Sequence, residues 1–302
     1  MRFLIALFFL AACSCNAGKK LPPQEPTPAG PDLAAKFDLY MLWSSDFVAP
    51  LAGWVDASCD ALLFTGLRSV YVITNVQAAE RAPGEWGRRP TSMPDCFDTG
   101  ESKSRISRDQ LIGVGYYVWK SGRRQVAGDL VDYANKHKGI MGPGLKSRTK
   151  MSAALKGTLI VLADREGVER ESWPVVGIED DFTRHLAALH LNLRAEIQGG
   201  MPESYREWIE EQEREEPTNP LYAYVRARWI DGNYARVDEL LMDTTKWPND
   251  RLPDATNFCG GPWVIQRNVR SSDWQPCGGG EKWSGSDWLF VAALRLGRFA
   301  AY

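Results

Sequence analysis

Two groups of acids stand where helices would begin. Asp56 and Asp60 flank Ser58 and Cys59, four residues apart and therefore on one face if both are helical. Arg105, Arg108 and Asp109 open a later amphipathic stretch. Two carboxylates in different surroundings can divide into a proton donor and a proton acceptor. An arginine beside them can neutralise a uronate or hold a sugar hydroxyl. Asp60 and Asp109 are thus the candidate acid–base residues, and Arg108 the candidate orienting cation. The plainer alternative is that these acids only complement helix dipoles.

Twelve tryptophans occur in 302 residues, and Trp86, Trp247, Trp263, Trp274 and Trp283 fall in loop-like sequence. Flat indole rings stack on sugar faces, and the indole N–H can hydrogen-bond a hydroxyl. Trp86 lies near Arg88 and Arg89 in one such loop, and Trp263 near Arg267 in another. Trp86, Arg88, Trp263 and Arg267 are therefore candidate substrate-binding residues on an aromatic, basic and acidic cleft. The alternative is that the rings plug their loops onto a core.

Other chemistry is weakly represented. His185 and His190 are five apart, on different sides of a helix, so joint metal ligation is not expected. A histidine inside HLAALHLNL reads as a packed residue. With no CxxC and three histidines, no metal site is expected. No nucleophile elbow, phosphate loop or dinucleotide fingerprint is present, so no cofactor is expected. A net charge of −2 argues against a general polyanion binder, and nucleic acid is not an expected partner.

The elements that must position these residues read as helices, with almost no alternating strand pattern. Residues 32–51 are apolar at helical spacing, and 58–76 follow, with Leu63, Leu67, Val70 and Thr74 on one face. The β-branched end of that segment leaves a strand possible. Residues 77–103 read as a long ordered loop. Ser107 with Gln110 makes a capping box for the next helix. Helical patterns continue over 126–137, 151–163 and 181–198. Pro202 and the Asn219-Pro220 pair start two more, and 234–242 adds another. A second long loop precedes a last helix over 286–299.

The N-terminus carries a different message. Arg2 and the apolar run over 3–12 have the form of a signal peptide, far short of the roughly 20 residues a permanent span needs. Leu10-Ala11-Ala12-Cys13 resembles the lipobox of bacterial lipoproteins. That resemblance implies a signal peptide over 1–12, lipidation of Cys13, and a membrane held through the acyl chains. An ordinary secretory signal is the alternative. Ser14 after Cys13, rather than aspartate, implies the outer membrane in a Gram-negative cell. Residues 13–31 contain five prolines and read as a semi-rigid tether. Residues 32–302 are then a helical extracytoplasmic domain.

In that domain lie Cys59, Cys96, Cys259 and Cys277. Four cysteines in an exported chain suggest two disulfides. Three pairings are open, of which Cys59 with Cys96 and Cys259 with Cys277 close the shortest loops. Helix starts such as SCDALLF and SRDQLIG, followed by acid, arginine and tryptophan, resemble the (α/α)-toroid fold of polysaccharide hydrolases and lyases over 56–302. The expected architecture is mainly α, helical hairpins with long disulfide-stapled loops forming an incomplete (α/α) toroid. The expected activity is hydrolysis or lysis of a glycan at a membrane. A non-catalytic surface lipoprotein, serving in binding or assembly, is the alternative.

Overall fold

The computed structural model describes residues 20–48, 54, 61–93, 106–142, 149–165, 173, 181–217, 219–243 and 285–302. These residues are mainly helical. The helices are α1 (Pro31–Val48), α2 (Ala61–Arg68), α3 (Arg108–Ser121), α4 (Arg124–Lys136) and α5 (Ala153–Leu162). They continue as α6 (Asp181–Gln198), α7 (Arg206–Glu215), α8 (Pro220–Arg226), α9 (Tyr234–Met242) and α10 (Gly285–Leu296). A π turn, Ala227–Asp231, extends α8.

Two helix starts follow local chemistry directly. Asn219 accepts from the Leu221 amide at 3.0 Å with Pro220 in the first turn, and Ser152 accepts from Leu155 at 3.2 Å. The capping box at Ser107 does not form. Ser107 has the extended backbone of a cap but makes no side-chain cap bond, and Gln110 is buried instead. The helix expected over 58–76 stops at Arg68: the Ser69 hydroxyl donates to the Gly66 carbonyl, and β-branched Val70, Val72, Ile73 and Thr74 follow. Part of the expected loop over 77–103 is instead a small hairpin.

α3 lies at the centre. It is buried continuously from Gln110 to Val118, and its two sides feed two apolar clusters. Ile112 and Tyr116 join Phe37, Leu193, Tyr222, Trp229 and Phe290, from α1, α6, α8, the π turn and α10. Leu111, Val114 and Tyr117 join Leu62, Leu130, Leu159 and Trp86. The close crossing of α2 and α3 explains the glycines on both. A Cβ on Gly66 would come within 2.3 Å of the Gly113 carbonyl, and one on Gly113 within 2.7 Å of the Leu63 oxygen.

Among the described residues strand is confined to short antiparallel pairs: β1 (Lys20–Leu21) with β6 (Met201–Pro202), β2 (Glu80–Ala82) with β3 (Glu85–Trp86), and β4 (Ile140–Gly142) with β5 (Thr149–Lys150). The first pair sets Lys20 opposite Pro202 and Leu21 opposite Met201. This pair falls within the stretch read as a tether. From Lys20 on the chain is a strap lying on the helices, because Leu21 is buried and the strap carbonyls find side-chain donors. Among the described residues no helix is long and apolar enough to cross a membrane.

Candidate functional site

The strap closes one side of a cleft of about 610 Å³. Its other walls come from the last turn of α3, from α6, from α8 with its π turn, and from the end of α10. Cavities of this size suit a small organic ligand.

The π turn is what aims two neighbouring side chains in useful directions. Arg228 faces Glu196, with Nε donating to Oε1 at 3.1 Å and Nη2 to Oε2 at 3.4 Å. Its Nη1 also reaches the Gln24 carbonyl at 3.1 Å, and the Gln24 amide donates to the Arg228 carbonyl at 2.7 Å. Tyr234 donates its hydroxyl to the same Gln24 oxygen at 3.0 Å. Trp229, one residue on, points inward, and its Nε1 donates to Asn192 Oδ1 at 3.0 Å. Asn192 in turn donates to the Tyr116 hydroxyl at 3.2 Å, and that hydroxyl donates to the Leu189 carbonyl at 2.8 Å. This thread fixes α3, α6 and the π turn relative to one another. Single π turns frequently occur at functional sites.

The rest of the cleft lining is largely basic and aromatic. Arg295 holds Asp238 and the Thr27 carbonyl, and Arg298 pairs with Asp38. Lys120 Nζ lies 3.6 Å from the ring centroid of Trp119 and 3.3 Å from that of Phe299. Burial pulls its ammonium down to about 8, an effect that Glu196 opposes and Arg228 reinforces.

Of the residues expected to form the site, the described ones, Trp86, Arg88, Arg108 and Asp109, do not line this cleft. Trp86 is 1% exposed and packed in the second apolar cluster, so it plugs its hairpin and offers no open ring face. Arg88 is half-buried, and its carbonyl accepts from the Leu62 amide at 3.2 Å at the start of α2. Arg108 is exposed, with Nε donating to the Lys150 carbonyl at 3.0 Å; it fastens α3 to β5. Asp109 is half-buried in the first turn of α3. It is eleven residues from Lys120 along that helix, a separation of about 16 Å. Cys13, Cys59, Asp60, Cys96, Cys259, Trp263, Arg267 and Cys277 lie outside the described residues.

Sequence reasoning missed Trp119, Lys120, Arg228 and Phe299. The available signals were slight: Leu21 is an apolar residue in an otherwise polar, proline-rich strap, and Lys120 follows an aromatic helix end. His190 is packed, as its apolar setting predicts, with Nε2 2.8 Å from Thr158 Oγ1. Among the described residues no group of three or more His, Cys, Asp or Glu is arranged to hold a metal ion. No protein-family model, curated protein or solved structure matches the chain.

Proposed function

We propose that the chain is an exported, lipid-anchored binding protein whose cleft beneath the strap holds a glycan without cleaving it. The observation that carries this reading is the composition of the cleft. Trp119 and Phe299 line it with aromatic surface, Phe299 the more exposed, Lys120 and three arginines bring positive charge, and Glu196 is already engaged through Nε and Nη2 of Arg228. Sugar recognition needs ring faces and polar groups. Glycoside hydrolysis needs two carboxyl groups roughly 5–9.5 Å apart across the bond. Glu196 is tied up, Asp109 stands at the other end of α3, and Glu25 on the strap is the one further carboxylate among the described residues lining the cleft.

Lipidation at Cys13 is part of the proposal. Lys20 is seven residues further on and already docked, so the anchor reaches at most about 25 Å fully extended. The body would then sit close to the outer-membrane surface, its loops stapled by Cys59 with Cys96 and Cys259 with Cys277. Labelling cells with a fatty-acid analogue tests the anchor: label on the wild type and none on Cys13→Ala supports it. Mass spectrometry of the non-reduced protein tests the pairings.

The function itself is tested by titrating the protein with neutral and acidic glycan and peptidoglycan fragments while following product formation. Binding without turnover, weakened in Trp119→Ala, supports the reading. Release of new reducing ends or unsaturated sugars would overturn it in favour of a hydrolase or lyase built as an incomplete (α/α) toroid.

A further inference from the structure

Each arginine of the cleft has a carboxylate of its own. Glu196 takes Arg228, Asp238 takes Arg295, and Asp38 takes Arg298. Lys120 has no such pair among the described residues. Its ammonium lies between the faces of Trp119 and Phe299, which attract a cation but accept no ordinary hydrogen bond. A lysine ammonium carries three donors. Those of Lys120 open on the cleft beside two rings, of which Phe299 is 46% exposed. A cation flanked by aromatic rings, with no carboxylate in direct contact among the described residues and only the field of Glu196 to oppose its charge, is complementary to a sugar that carries an anion.

We infer that Lys120 is the anion-capturing residue of the cleft and that the ligand is an acidic sugar, its anionic group paired with Lys120 and its ring laid on the exposed side of Phe299. This rests on the proposed glycan-binding function and names its ligand class. Binding also acquires a pH dependence. The charged and titratable groups around Lys120 are Glu25 from the strap, Glu196 from α6, Arg228 from the π turn, and Arg295 and Arg298 from the end of α10. Tyr224 and Tyr234 complete the wall, and burial raises both, away from neutrality. Lys120 itself titrates near 8, so the competent, protonated form falls to about a tenth at pH 9 and apparent affinity drops about tenfold. The anion stabilises the ammonium, so binding at pH 8 takes up protons.

The experiment is calorimetric titration with a panel of uronate- and sialate-containing oligosaccharides and their neutral methyl-ester forms, at pH 7 and pH 9. Wild type, Lys120→Met and Lys120→Arg are compared, with folding checked by circular dichroism. Acid forms should bind at least tenfold better than esters. Lys120→Met should lose that preference, and Lys120→Arg should keep it while losing the fall between pH 7 and 9. Equal affinity for acid and ester, or an unaffected Lys120→Met, overturns the role of Lys120 and leaves the glycan-binding reading standing. Failure of every acidic and neutral probe to bind the folded protein overturns both.

Discussion

Arg295 and Asp238 meet through two hydrogen bonds of 2.7 Å, from Nε and Nη2, and the remaining Nη1 of the arginine donates to the Thr27 carbonyl at 2.7 Å. One buried guanidinium thereby joins α9, α10 and the strap. Asp238→Asn keeps the shape but leaves the charge of Arg295 uncompensated in the interior. Removing one partner of such a pair costs about 3 kcal/mol. Urea denaturation should show that loss. A change under about 1 kcal/mol, the range of exposed pairs, would mean that water already solvates the pair.

Trp86 separates a packing role from a binding role. Trp86→Ala empties space in the second cluster, at a cost of about 4 kcal/mol. Trp86→Phe should cost less, because Nε1 has no hydrogen-bond partner. Glycan affinity measured on the folded fraction should be unchanged in the phenylalanine variant. Lost affinity with retained stability would restore Trp86 to the binding surface.

Gly113→Ala tests the crossing of α2 and α3. The added methyl has no flexible neighbour to displace, only the backbone of Leu62 and Leu63. Overpacking of this kind costs about 3 kcal/mol, which thermal unfolding would record as a lower Tm. Gly122→Ala is the control: it meets no neighbour, and its left-handed φ of 68° limits the loss to backbone strain of about 1 kcal/mol.

His190 makes stability depend on pH. Burial, assisted by the positive charge of Arg194, lowers it from the ordinary 6.5 to about 3, so the folded state holds it neutral. Below 6.5 the unfolded chain binds a proton that the folded chain refuses. Its contribution is therefore fully present above 6.5 and is lost as pH falls toward 3, by up to about 1.4 kcal/mol per pH unit. His190→Gln should flatten the stability–pH curve between pH 6 and 4 relative to wild type. Parallel curves for the two proteins would show that His190 is protonated in the fold.

Helix starts were legible where the signal is local. Asn219-Pro220 opens α8 with its cap bond made, and the pattern over 234–242 matches α9 at both ends. The same kind of signal failed at Ser107 and Gln110, because α3 is packed on all sides and the interior claimed the glutamine. The interior claimed Trp86 as well. A tryptophan in a glycine- and proline-rich loop looks identical in sequence whether its ring meets water or a core.

By itself, the sequence determined the helical class, the positions of most helices, and which residues bear charge or rings, since periodicity, caps and prolines act within a few residues. Tertiary structure alone decided the cleft. The carbonyls of Gln24 and Thr27 carry no mark of their partners, yet they are met by Arg228 and Arg295, 204 and 268 residues away. Backbone oxygens are the same in every residue, and only the packed arrangement of α6, the π turn and α10 brings those donors to them. The same packing sets Lys120 between Trp119 and Phe299, its sequence neighbour and a residue from the far end of the chain.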